Sequence, residues 1–256
     1  VDAQRWLYEP GMPPNAPVFR SAQLDALNSL AGYGFAFPET TLPEVNNTDN
    51  YHLKATSVGH PLIHPDRRVG NDFTIQGKGA LTLITGSNMS GKSTFQRTLG
   101  VNMVLAYSGA PLCASHFSIG YFRLFTSMRI MDNLTSNMSS FYAELDRIRQ
   151  LLDLMDNSPE PVFYLLDEIL LGTNSEDRHK GSVALILQLL EANALGLIAT
   201  HDLKLGEMQA KDPRITNQCF KSELENGKLI FDYKIRPGIG YSFNATELMK
   251  TMGLKL

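Results

Sequence analysis

Leu81-Thr-Leu-Ile-Thr85-Gly86-Ser-Asn-Met-Ser-Gly91-Lys92-Ser93-Thr94 joins three signals in fourteen residues: a short β-prone apolar run, a loop bracketed by glycines, and the start of a helix. The run from Gly86 to Ser93 fits G-x-x-x-x-G-K-[ST] at every fixed position, and it has the strand before and the helix after that the pattern requires. Glycines at 86 and 91 let the main chain wrap closely around phosphate oxygens. Successive N–H groups then point inward, and the positive end of the following helix adds to them. On this reading Gly86, Ser87, Asn88, Met89, Ser90, Gly91, Lys92, Ser93 and Thr94 are the nucleotide-binding residues. Lys92 reaches the terminal phosphates, and the Ser93 hydroxyl ligates Mg²⁺.

Two further apolar runs end in polar groups. Val162-Phe-Tyr-Leu-Leu166 leads into Asp167 and Glu168, and Leu197-Ile-Ala-Thr200 leads into His201. A buried strand that ends in charge needs a reason, because an uncompensated buried carboxylate is costly. In a parallel sheet the carboxyl ends of the strands collect at one edge. Asp167 is therefore expected to hold Mg²⁺ through water, and Glu168 to polarise an attacking water. His201 is expected near the terminal phosphate. Each tip taken alone also fits a blander role: a solvated strand end for the acids, a helix cap for His201.

Around these runs, strand and helix signals alternate. Helices are expected over Ser93–Tyr107, Ser139–Leu154, Glu176–Ala192 and Ser242–Met252, and strands over Tyr121–Ile130 and Leu195–Thr200. Asn226-Gly227 predicts a hairpin turn within Lys221–Tyr233. The first 50 residues differ. Pro10, Pro13, Pro14 and Pro17 make an irregular leader, Leu24, Leu27 and Leu30 predict a short amphipathic helix over 21–31 that Gly32 and Gly34 end, and Pro38 to Asn50 reads as a linker. The expected organisation is a short N-terminal helical remnant of an upstream domain over 1–50 and an α/β domain over 51–256, with a mostly parallel sheet flanked by helices.

The chain has 256 residues, of which 43% are hydrophobic and 19% charged, so a large core can form and wholesale disorder is excluded. A net charge of −3 argues against a uniformly basic nucleic-acid surface. Two cysteines, Cys113 and Cys219, are too few for a disulfide scaffold or a four-cysteine zinc site. No apolar run is long enough to cross a bilayer, and the expected location is cytoplasmic. The first residue is Val, so the expectation is a piece of a longer chain.

The motifs taken together resemble the MutS family of DNA mismatch-repair ATPases. The Asn88-Met89 pair inside the glycine loop is the distinctive feature. Asp132-Asn-Leu-Thr-Ser-Asn-Met-Ser139-Ser-Phe141-Tyr-Ala-Glu144 is similar to that family's signature segment, Leu166-Asp-Glu-Ile169 with Gly172-Thr173 to its acidic strand, and Ala199-Thr-His201 to its histidine switch. Upstream, Gly59-His60-Pro61-Leu62 and Val69-Gly-Asn71-Asp72 look like the short motifs before its loop. The set runs in family order over residues 55 to 255. Leu170-Leu171 departs from the small or basic residues many members carry there.

The resemblance implies a P-loop ATPase of the ATP-binding-cassette type that hydrolyses ATP with Mg²⁺. It implies that two such domains pair, as a homodimer or with a MutS-like partner. Ser139 would then contact the terminal phosphate bound to the other subunit, although from the residues alone it reads as a helix N-cap. His60 would lie near the adenine, and DNA would be held by upstream domains. Glu144 and Asp146 read as a solvated helix face. Rival readings are a MutS-like paralogue acting outside mismatch repair, on branched DNA or tethered to a membrane, and a nucleotide-binding structural module with weak hydrolysis.

Overall fold

A computed structural model describes residues 17–46, 51–128, 140–225 and 228–240. It is an α/β structure built on two sheets. The elements in chain order are α1 (Pro17–Ala36), β1 (Glu44–Asn46), β2 (His52–Val58), β3 (Asn71–Gln76), β4 (Leu81–Thr85), α2 (Lys92–Tyr107), β5 (His116–Gly120), β6 (Arg123–Ser127), α3 (Ser140–Asn157), β7 (Val162–Asp167), α4 (Ser175–Glu191), β8 (Ala194–Ala199), β9 (Ile215–Glu225) and β10 (Lys228–Pro237). A 3-10 segment, Leu203–Ala210, follows β8.

The larger sheet has the order β10-β9-β4-β8-β7-β6. Its neighbours are parallel apart from the β9–β10 hairpin. Alternate residues of its strands feed different cores, as the two-residue period of a strand demands. Phe163 and Leu165 of β7 point to one side, with Phe95, Leu99 and Met103 of α2. Val162, Tyr164 and Leu166 point to the other, with Leu151 and Met155 of α3 and Ile186 and Leu189 of α4. Both faces are covered, which is why β7 and β8 are continuous apolar runs rather than alternating ones. All six residues of each are buried.

The smaller sheet, β1-β5-β2-β3, is not anticipated by the sequence reading. Its β2 pairs antiparallel with both β3 and β5. Leu53, Ala55, Phe73, Ile75, Phe117 and Ile119 from this sheet close the first core over α2. Part of the expected linker also belongs to it, because Glu44–Asn46 pairs in parallel with Ser118–Gly120.

α1 runs well beyond the expected 21–31. It passes through Gly32 and Gly34 without either adopting positive φ. Gly34 instead allows close approach, since a Cβ there would stand 3.1 Å from Pro111 Cγ. Leu24 and Leu27, the expected apolar stripe, are 66% and 63% exposed. The other helices fall within a few residues of expectation, with α4 capped by Asn174, whose side chain accepts from Glu176 N and Asp177 N. β9 and β10 form the expected hairpin and are longer than it. The Asn226-Gly227 turn, the helix expected over 242–252, and Ser139 lie outside the described residues.

Candidate functional site

The sheet order places β4, β8 and β7 side by side, so their carboxyl ends form one edge. Asp167 is opposite Ala199 in register. Two main-chain bonds continue past the strands, from Thr200 N to Ile84 O and from Glu168 N to Ala199 O, each 2.9 Å. The glycine loop, the histidine tip and the acidic tip are thus neighbours, as the parallel-sheet argument requires.

The loop owes its shape to three residues with positive φ. Gly86 and Gly91 lie at 150° and 110°, and Met89 at 65°. A Cβ on Gly86 would come within 2.8 Å of both Phe220 O and Ser90 Oγ, so the site admits only glycine without rearrangement. Lys92 opens α2 and is buried. Its Nζ donates to Gly86 O (3.0 Å) and Ser87 O (3.1 Å) and lies 3.4 Å from His201 Nε2. Burial pulls the Lys92 ammonium below its ordinary range, while Glu168 and Asp167 oppose that shift. Ser87 Oγ donates to Ser222 Oγ at 3.2 Å, and the buried Ser90 Oγ has no partner among the described residues.

Glu168 turns out of β7 with φ of 52°, a left-handed conformation rare for a residue with a Cβ. Its Oε1 lies 2.6 Å from His201 Nε2. The same imidazole nitrogen thus neighbours both the carboxylate and the Lys92 ammonium. Asp167 is buried, and its Oδ1 has no hydrogen-bond partner among the described residues. One buried cation and two carboxylates leave the cluster acidic. Asp202, next to His201, caps the 3-10 segment by accepting from Lys204 N and also bonds His179 Nδ1 at 2.6 Å. Capping thus falls to Asp202, and His201 is left to the acidic tip.

A cavity of about 1050 Å³ opens beside this cluster. Asn88, Met89, Gly91, Lys92, Ser93 and Thr94 line it, as do Asp167 and Glu168. His60, His64, Arg68 and Arg97 line it too, together with Asn71 and Tyr233. Among the described residues His201 does not line it, but it contacts Glu168 and Lys92, which do. Burial pushes the His60 imidazole below its ordinary value, and Arg97 and Arg68 add to the effect.

Residues 82–253 match the family model for MutS domain V. The chain belongs to the MutS family. It is 30% identical over 236 residues to the DNA mismatch repair protein MutS of Thermotoga maritima, a match covering 91% of this chain and 29% of that protein. It is 32% identical over 257 residues to the DNA mismatch repair protein MutS of Myxococcus xanthus, covering 93% and 28%. The corresponding figures for Ehrlichia chaffeensis are 30% over 220 residues, covering 85% and 27%. The chain thus spans less than a third of the length of these MutS relatives.

Within this MutS chain, several side chains at and around the site make contacts that the sequence reading does not assign to them. Tyr233 joins the cavity from the hairpin, and Asn71 fixes it by donating from Nδ2 to Tyr233 O at 3.0 Å. Gln96 ties α2 to the acidic strand through Leu166 O at 2.9 Å. Glu144 is no solvated side chain: its Oε1 accepts from Leu170 N, and its Oε2 from Leu171 N at 3.1 Å. Burial pushes the Glu144 carboxyl above its ordinary value, against those two bonds. Its neighbour Asp146 is exposed, as expected. The signal for Glu144 was present, because Phe141, Glu144, Ile148, Leu151 and Met155 follow helical spacing, and an acid inside an apolar stripe needs a partner. No helix among the described residues is long and apolar enough to cross a membrane.

Proposed function

We propose that this chain is the ATP-binding and ATP-hydrolysing domain of a MutS-like DNA mismatch-repair protein, with a P-loop core of the ATP-binding-cassette type. The observation that carries the reading is the meeting of Lys92, Asp167 and Glu168 at one glycine-bracketed loop, with His201 bonded to Glu168 behind them.

The residues suit a nucleoside triphosphate with Mg²⁺. Lys92 and the N–H groups at the start of α2 offer positive charge to phosphates. Asp167 Oδ1, unpartnered among the described residues, and the Ser93 hydroxyl are hard oxygen donors of the kind Mg²⁺ takes. Mg²⁺, when bound, neutralises charge on the phosphate oxygens. Glu168 accepts a proton from the attacking water. His201 orients that carboxylate through its 2.6 Å bond. Asn88, Met89, His60 and Tyr233 line the cavity and are available to the base.

Two such domains pair in this reading, as a homodimer or with a MutS-like partner, and Ser139 completes the partner's site. Segments beyond this chain hold DNA. Titration calorimetry of the wild type and Lys92→Ala with ATP and Mg²⁺ tests the reading. Micromolar binding by the wild type and loss of at least ~100-fold in the variant support it, since about 2.7 kcal/mol is a modest share for a buried charge on phosphate. Equal binding by both chains, or none by the wild type, defeats it.

A further inference from the structure

α3 and the turn after β7 are far apart in sequence and clamped together in space. Glu144 spends both carboxylate oxygens on main-chain N–H groups of that turn, one on Leu170 and one on Leu171. One helical turn earlier, Phe141 covers Gly172 so closely that a Cβ there would stand 2.4 Å from Phe141 Cβ. On the far side Leu170, 6% exposed, packs on Gly181 of α4, where a Cβ would come 2.7 Å from Leu170 Cδ1.

The clamped turn is the one that sets Glu168. Glu168 and Leu170 both hold positive φ, 52° and 60°, which neither side chain favours. Such a conformation persists only when its surroundings over-determine it. Glu168 N is tied to Ala199 O. Glu144 supplies the other half of the restraint, two residues downstream. It does this with a charged acceptor on two neutral donors, the stronger kind of hydrogen bond.

We infer that Glu144 is a positioning residue: it holds the left-handed turn at Glu168–Leu170 and so fixes the Glu168 carboxylate against His201 for water activation. The inference rests on the ATPase reading above and extends it to the acid that ends the signature-like segment, on the first turns of α3. Glu144 touches neither the cavity nor the loop, so ground-state nucleotide binding does not depend on it.

The test measures kcat, nucleotide Kd, thermal midpoint and amide hydrogen exchange in the wild type, Glu144→Gln and Glu144→Ala. The inference expects peptides spanning 168–173 to exchange at least ~10-fold faster in both variants, with the peptide of β7 unchanged. It expects kcat to fall at least ~10-fold in Glu144→Ala and less in Glu144→Gln, which keeps one acceptor, with Kd within about two-fold of wild type. Wild-type kcat in a Glu144→Ala chain whose turn exchanges faster overturns it. So does a parallel loss of Kd and thermal midpoint in Glu144→Gln, which marks a purely structural role. A wild-type chain that does not hydrolyse ATP sinks the ATPase reading first and takes this inference with it, a result visible before any variant is made.

Discussion

His201 Nε2 lies 2.6 Å from Glu168 Oε1, across the gap between the carboxyl ends of two adjacent parallel strands. The same nitrogen is 3.4 Å from Lys92 Nζ. One imidazole nitrogen thus sits beside both the buried ammonium of the glycine loop and the carboxylate proposed to activate water, and its short bond is to the carboxylate. A bond this short fixes the direction of the Glu168 side chain, whose backbone is already held at positive φ.

Replacing His201 with alanine frees that carboxylate. Turnover is expected to fall about 10²-fold or more, in the range of a lost acid–base partner, with nucleotide affinity within a few-fold of wild type. The His201 side chain is 37% exposed, so folding stability is expected to change by less than about 1 kcal/mol. Steady-state kinetics beside a chemical denaturation curve checks both. Unchanged turnover removes His201 from the site.

Asp167 presents a buried oxygen without a partner among the described residues. With Asp167 as the proposed Mg²⁺ ligand, ATP binding by the wild type is expected to weaken at least ~10-fold when the metal is chelated. Asp167→Asn is expected to bind ATP with nearly the same Kd with and without Mg²⁺. A variant that keeps the full metal dependence shows that the ligand lies elsewhere.

Ser139 is expected to act on the partner's nucleotide. A Ser139→Ala chain and a Lys92→Ala chain, each inactive alone, should regain up to one working site per pair when mixed, because each supplies what the other lacks. Titrating one against the other and following phosphate release measures it. Recovery absent at every ratio, with mixed dimers present by mass, contradicts action in trans.

His60 is held below the ordinary imidazole value by burial, then by Arg97 and Arg68. The folded chain thus binds this proton less tightly than the unfolded chain. Above pH about 6.5 both states are neutral at this position and it contributes nothing to the pH dependence. As pH falls through about 6.5 the unfolded chain is protonated first, and stability declines until the folded value is passed. His60→Gln should flatten that limb of the stability curve. An NMR titration of the His60 ring giving a midpoint at or above about 6.5 contradicts the assignment.

The loop, the two strand tips and the helices around them were legible because each leaves a local mark. Lys92 sits in a fixed spacing of glycines, and β7 and β8 are apolar runs ended by charge. The second sheet left no such mark. Its strands β2 and β3 alternate buried and exposed residues over only six or seven positions, and their pairing is decided by partners far away in sequence. The end of α1 was misread because Gly32 and Gly34 are stop signals by propensity alone. What carries the helix through them is tertiary: the close approach of Gly34 to Pro111. Glu144 was misread for a different reason. Its helical position marks it as buried, but the groups it satisfies are the main-chain amides of Leu170 and Leu171, which no side-chain pattern displays.

Water activation by Glu168 is tested by a single-turnover experiment with γ-labelled ATP bound to Glu168→Gln in the presence of Mg²⁺. The variant is expected to hold ATP with wild-type affinity and to release labelled phosphate at least ~100-fold more slowly than the wild type. Release at the wild-type rate from the variant contradicts it.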